Sequence, residues 1–322
     1  MDMEKPINLI ANETSIPAVL SLPENGRADW GVVLVPGSFL NDVDGNYSFE
    51  NGNPFAANPH SYKDLARQLA QRGCAVVRYA RGGVTILDQA SAAEHRHFAD
   101  RTNVVVEAVK ALRAGVPELK FYALAGHSEG GPVSLLLITN SPETKIDAYI
   151  SLSAPALRMF DLMLQQIEPA VRDGVWNAGR MKVLFADYKR ALELVRNGLP
   201  VPEDLMNKLP PFGVHRMDES SKRYLREYDQ VDSIALIAKA ACSVLIVQGG
   251  RDTSVLPANA DLLFNARAGN PAPTGRADFP ELQHFYKVCP LGLDPMAAFA
   301  LETESDPAVA TAISAWLAKL AL

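Results

Sequence analysis

Apolar residues along this chain fall in short unbroken runs separated by stretches with helical spacing, which predicts a mostly parallel sheet covered by helices. Residues 7–10 and 16–22 read as two short strands of a lead-in hairpin. Gly31-Val32-Val33-Leu34-Val35 ends at Pro36-Gly37, the signature of a strand buried on both faces. A polar loop rich in Asn, Gly and Asp follows, from Ser38 to about Pro59. Tyr62, Leu65, Leu69 and Ala70 then keep helical spacing, and Gly73 closes that helix. Cys74 to Tyr79 predicts the next buried strand. Residues 102–114 predict a helix with Val105, Val109 and Leu112 on one face, and Phe121 to Ala125 a further strand. After the Gly-rich turn at 126–131, residues 133–138 predict a buried helix, and 146–152 and 244–248 two strands. The chain ends with a helix at 257–267, a strand near 277–282 and a helix at 307–320.

The stretch 155–240 breaks this alternation, being helical in pattern and poor in strands. Leu157, Phe160, Leu164, Ile167 and Val171 keep a 3-4 spacing, as do Met181, Phe185, Tyr188, Leu192 and Val195, with Gly198 as a stop. Five of the eight methionines lie here: Met159, Met163, Met181, Met206 and Met217. They serve either as the small core of a helical insertion or as a flexible apolar surface facing a substrate. The expected organisation is a core in two parts, 1–154 and 241–322, with 155–240 as a cap or lid.

Composition narrows the function classes. Hydrophobic residues make up 48% of the 322 and charged residues 21%, as in a water-soluble globular protein with a sizeable core. A formal net charge of −6 and the lack of a basic run argue against nucleic acid or an anionic membrane as partner. Met1 to Pro6 does not read as a secretory signal, and runs such as Val133 to Ile138 are too short to span a bilayer. Cys74, Cys242 and Cys289 are odd in number and widely spaced, so no disulfide framework is expected and a reducing, cytoplasmic setting is.

The chemistry centres on Gly126-His127-Ser128-Glu129-Gly130, a G-x-S-x-G string between an apolar strand and an apolar helix. A strand-to-helix turn that tight holds its serine in a strained conformation with the hydroxyl outward, and side chains two positions either side would clash. The serine hydroxyl needs a base, and the base an orienting acid. Downstream of Ser128 only His215 and His284 remain. His215 sits among prolines and charges and reads as lid surface, whereas His284 follows the last expected strand and can reach across the strand ends. Asp252, after the strand at 244–248, is the expected acid, with Asp278 as fallback; a turn or cap role is the bland alternative for Asp252. The oxyanion donors expected are the amide of Glu129 and that of Ser38 or Phe39. Phe39, Phe160, Met163 and Phe185 are candidate pocket residues.

Val35-Pro36-Gly37-Ser38, the elbow 126–131, the run Cys242 to Val255 with Gly249-Gly250-Arg251-Asp252, and Gln283-His284 together resemble the α/β-hydrolase superfamily. Within it the chain is similar to bacterial serine esterases and to dienelactone-hydrolase-like and acylaminoacyl-peptidase-like members. The likeness spans nearly the whole chain and is weakest in 155–240. It implies a doubly wound, mostly parallel sheet with a helical lid, carboxylesterase-type activity on a small acyl ester, and no metal or organic cofactor. Relatives often carry Gly-Ser-Gly-Pro where this chain has Gly37-Ser38-Phe39-Leu40, so Phe39 is expected to shape the acyl pocket. They also often carry an aspartate where this chain has Ala80, a position with a structural role.

Other motifs carry less. His95 and His97 form an H-x-H pair without a third ligand nearby, and Asp42-Val43-Asp44-Gly45 lacks the remaining ligands of a calcium loop. A dehalogenase or epoxide hydrolase needs an aspartate where Ser128 stands. A peptidase or thioesterase on the same triad, or a non-catalytic receptor with this fold, are the alternatives. About 30 residues precede the core strand at Gly31, whereas prolyl-oligopeptidase-like enzymes usually carry a large amino-terminal propeller, so a peptidase is the less expected alternative.

Overall fold

A computed structural model of the chain describes residues 4–39, 41–47, 56–81, 97–172, 178–209 and 213–321. The apolar runs become eight strands: β1 (Glu4–Ala11), β2 (Thr14–Ser21), β3 (Trp30–Val35), β4 (Cys74–Tyr79), β5 (Phe121–His127), β6 (Ala148–Leu152), β7 (Ser243–Gly249) and β8 (Thr274–Phe279). They pair in the order β1-β2-β4-β3-β5-β6-β7-β8. The β1–β2 hairpin and the β2–β4 pair are antiparallel; every pair from β4 to β8 is parallel. Successive side chains of a strand point to opposite faces, so a strand covered on both sides is apolar at nearly every position, and a buried charge such as Arg78 of β4 is paired, here with Glu4 and Asp44. β3, β4 and β6 are buried throughout.

Two cores result. Val33, Val35, Val77 and Tyr79 pack on one face, against Val105, Val109 and Leu112 of α2 (Arg101–Gly115) and Val133 of α3 (Gly130–Asn140). Val32, Leu34, Val76 and Ile150 pack on the other, against Leu65 and Leu69 of α1 (Ser61–Ala70) and Ile313 and Leu317 of the terminal helix. From β3 the chain steps to β4 on one side and later to β5 on the other. That reversal opens a crevice at the carboxyl ends of β3 and β5, where open parallel sheets bind ligands.

Between β6 and β7 lie α4 (Met159–Arg172), α5 (Ala178–Arg196), the short α6 (Glu203–Met206), α7 (Glu219–Asp229) and α8 (Ser233–Lys239). This segment has a core of its own, with Phe160, Leu192, Val195, Leu205, Val214 and Leu225 buried together. Asp229 ties three of its helices. Its carboxylate accepts the Phe160 amide of α4 at 2.9 Å and the Arg196 guanidinium of α5 at 3.2 Å. α9 (Ala258–Ala266), α10 (Pro295–Phe299) and α11 (Pro307–Leu320) complete the chain.

Two expectations need correcting. The last strand is Thr274–Phe279, not 277–282. β8 is a sheet edge with Arg276 and Asp278 exposed, so it lacks the apolar run that marks inner strands. The apolar signal came from Leu282, which is buried in an isolated bridge to Val288. His215 is only 2% exposed and lies within the helical segment rather than on its surface. Leu40 and His95, and the side chains of Val171 and Met181, lie outside the described residues. No helix among the described residues is long and apolar enough to cross a membrane.

Ile313 is fully buried against the sheet. Ile313→Ala is expected to cost about 2–5 kcal/mol of folding stability by leaving a cavity, read from the urea midpoint. A cost well below that range would mean that α11 does not pack as described.

Candidate active site

The elbow follows from two glycines and a strained serine. β5 runs directly into α3, and Ser128 between them has φ +51°, a left-handed conformation costly for a side-chain-bearing residue. Its amide is held by the Leu152 carbonyl at 2.9 Å and its carbonyl by the Gly131 amide at 2.9 Å. A Cβ on Gly126 would stand 2.5 Å from the Gly130 carbonyl oxygen, and one on Gly130 would run into the Val35 carbonyl. The turn therefore closes only with glycine at both places. Ser128 stays partly exposed while its neighbours His127 and Glu129 are buried.

Asp252 and His284 meet on the loops after β7 and β8, at the same carboxyl edge. His284 Nδ1 donates to Asp252 Oδ2 at 2.8 Å. The other carboxylate oxygen accepts the amides of Ser254 and Val255, each at 2.8 Å. Asp252 is thus a turn aspartate and the partner of His284 at once, one oxygen for each. Gly249 lets the two loops touch, since a Cβ there would lie 2.5 Å from the Leu282 carbonyl. The loop holding His284 is tightly cross-linked: Gln283 N donates to Lys287 O at 3.0 Å, and the Gln283 side chain to Ala298 O at 2.7 Å. Asp278 faces outward on the edge strand, bonded to Arg276 at 2.7 Å, and does not reach His284.

Glu129 is 3% exposed and surrounded by donors. Arg101 pairs with its Oε1, Arg81 does so at 2.9 Å, the Tyr224 hydroxyl donates at 2.5 Å, and the Ser38 hydroxyl donates to Oε2 at 2.7 Å. Burial by itself would raise this carboxyl's pKa; the two guanidiniums and the two hydroxyls outweigh it and hold it at about 2. Glu129 is a fixed anion, not an acid catalyst. Its amide sits at the N-cap of α3, ahead of the first hydrogen-bonded turn, and so has no partner within the helix.

The loop after β3 completes the crevice. Arg101 donates to the Pro36 carbonyl at 2.6 Å, and Ser38 is pinned to Glu129. Phe39 has φ +66° and is 41% exposed. Phe160 is 1% exposed within the helical segment's own core, so its ring packs rather than faces open space; Met163 and Phe185 are partly buried.

Sequence reasoning missed Tyr62, Arg81, Arg101 and Tyr224 and gave His127 no role. Tyr62 keeps the spacing of a core helix, and nothing local marks the two arginines or Tyr224 as partners of a residue up to 95 positions away. His97, half of the H-x-H pair, bonds Glu227 at 2.7 Å. Asp42 accepts the amides of Asp44 and Asn46 at 2.9 Å each, a polar turn.

No protein-family model and no curated protein sequence matches the chain. Solved structures do. Est1E from Butyrivibrio proteoclasticus is 14% identical, with 98% of each chain covered and a TM-score of 0.54. The esterase domain of a Rhodothermus marinus protein is 17% identical, with 97% of each covered and a TM-score of 0.52. Dienelactone hydrolase from Anabaena variabilis is 14% identical over 98% of this chain and 97% of that one, with a TM-score of 0.51. The chain has the α/β-hydrolase fold.

The buried charges give two expected outcomes. Burial first, and then the proximity of His284, push His127 well below the ordinary 6.5, so the native protein refuses a proton that the unfolded chain binds. Stability should fall as pH drops below about 6.5, by at most about tenfold in the folding constant per pH unit from this group. Glu129 adds a loss of the same sign between its unfolded value of 4.5 and about 2. Calorimetric Tm values from pH 7 to 4 test this, and a flat profile from 7 to 5 would contradict the His127 part. Separately, Glu129→Gln leaves Arg81 and Arg101 without a countercharge and should cost about 3–5 kcal/mol, measured by denaturant unfolding.

Proposed function

We propose that this chain is a serine hydrolase that cleaves carboxylic esters through an acyl-enzyme. The reading is carried by the 2.8 Å His284–Asp252 hydrogen bond at the sheet edge where Ser128 is held at φ +51°. An oriented imidazole beside a serine on a sharp elbow is what nucleophilic acyl transfer needs. Ser128 Oγ attacks the ester carbonyl carbon while His284 Nε2 takes its proton. The Asp252 carboxylate stabilises the resulting imidazolium through Nδ1–H. The tetrahedral oxyanion accepts from the Glu129 amide and from that of Ser38 or Phe39. His284 then gives the proton to the departing alcohol oxygen, and water repeats the sequence on the acyl-enzyme.

The fixed negative charge of Glu129 lies on a side chain turned towards Arg81 and Arg101. It is neutralised there and leaves the amide dipole to act. Residues 155–240 form a cap over the crevice, set on a core of residues 1–154 and 241–322. Phe39, Met163 and Phe185 offer apolar walls for an acyl or alcohol group. Similar structures that span the whole chain include an esterase domain and a dienelactone hydrolase, which supports an ester over a peptide bond. Three free, buried thiols, Cys74, Cys242 and Cys289, fit a reducing cytoplasm.

A fluorophosphonate probe followed by peptide mapping should label Ser128. Ser128→Ala and His284→Ala should lose the label and lower hydrolysis of a p-nitrophenyl ester by about 10⁴-fold or more. Full esterase activity in Ser128→Ala would overturn the reading.

A further inference from the structure

One buried chain of hydrogen bonds is not used by the acyl-transfer steps. His127 Nε2 lies 3.0 Å from the His284 carbonyl oxygen, and His127 Nδ1 lies 3.0 Å from the Tyr62 hydroxyl. The Gly37 amide donates to the Tyr62 oxygen at 2.8 Å. The directions are forced. A carbonyl can only accept, so Nε2 carries the ring proton. Neutral imidazole then has an acceptor at Nδ1, which takes the Tyr62 O–H, and the Tyr62 oxygen takes the Gly37 N–H. His127 is 3% and Tyr62 4% exposed, so these groups are shielded from bulk water.

The chain joins three loops of the site. Gly37 immediately precedes Ser38 and Phe39, the two candidate oxyanion amides, and a Cβ on it would stand only 3.0 Å from Ser128 Cβ. His127 is the residue before the nucleophile, at the end of β5. His284 is gripped twice, its ring by Asp252 and its backbone carbonyl by His127. Tyr62 stands on α1, a helix packed into the sheet core. A ring at each position would fill the same space without the polar atoms; only the hydrogen bonds set the spacing and direction of the loops.

We propose that Tyr62 and His127 form a strut that sets the oxyanion loop and the His284 loop against Ser128, making both positioning residues for ester cleavage; this rests on the serine-hydrolase reading above. Neither touches substrate. Each acts through a backbone group: Gly37 N–H at one end and His284 C=O at the other.

The test compares wild type with Tyr62→Phe, His127→Phe and His127→Gln. It reads kcat and KM on a p-nitrophenyl ester, Tm, fluorophosphonate labelling, and affinity for a trifluoromethyl ketone that forms a tetrahedral adduct. Tyr62→Phe and His127→Phe should lose about tenfold to hundredfold in kcat, with KM changed by less than about twofold. Affinity for the ketone should fall in parallel, because it reports transition-state geometry. His127→Gln keeps a donor for the His284 carbonyl and should recover part of the loss. The double Phe variant should be little worse than the poorer single one, as for links of one chain. A lower Tm with unchanged kcat in either Phe variant, or equal kcat in His127→Gln and His127→Phe, overturns the strut. If Tyr62→Phe does not fold, the His127 pair decides alone. Failure of wild type to label at Ser128 overturns the hydrolase reading and the strut with it; a labelled, active wild type with unaffected variants overturns only the strut.

Discussion

A carboxylate with almost no exposure cannot stay charged unless donors surround it. Glu129 stays charged, and gathering its donors organises the site. Arg101 comes from the start of α2, Arg81 from just after β4, Ser38 from the loop after β3 and Tyr224 from α7 of the helical segment. Four separate parts of the chain meet at the residue that follows Ser128. Arg101 extends the cluster by holding the Pro36 carbonyl. The loop after β3, the elbow and the helical segment are therefore tied by one electrostatic demand, and none of them can shift far without taking a donor from a buried charge.

The sheet supplies the other constraint. Parallel strands bring their carboxyl ends to one edge, so loops from β3, β5, β7 and β8 share a crevice although they are far apart in sequence. Close approach there needs small residues: Gly126 and Gly130 let strand meet helix, and Gly249 lets the Asp252 loop meet the His284 loop. Strain at Ser128 is borne by bonds from Leu152 and Gly131 on either side of the residue.

The helical segment relates to the core in two ways. Its own cluster around Phe160, Leu192 and Leu205 makes it a packed unit. Its attachment runs through α7, where Tyr224 bonds Glu129, Tyr228 stacks on Phe98 at 4.4 Å and Glu227 accepts the Phe98 amide at 2.9 Å, and also through α4 and α8, where Gln166 donates to the Ser254 carbonyl at 2.8 Å and Ile237 packs against Leu263. Met159 packs against both this cluster and the main core. A methionine fits such a junction because its unbranched side chain adapts to two surfaces.

Much of this was legible in the amino-acid order because the signals are local. Inner strands buried on both faces are mostly apolar, so β3, β4 and β7 stood out despite Arg78 and Gln248; the elbow declares itself through two glycines around a serine. That Asp252 and His284 lie on loops at the same sheet edge followed from their places after strands. What was not legible is what depends on contacts across the fold. β8 was misplaced because an edge strand need not be apolar, and His215 was misjudged because flanking prolines and charges do not reveal that a side chain is buried. The arginine pair at Glu129 and the Tyr62–His127 chain join residues 25 to 157 positions apart. Periodicity carries the side-chain demands of one element; which polar groups must satisfy one another is decided only when the elements pack, because a buried donor takes whichever acceptor the tertiary structure brings within reach.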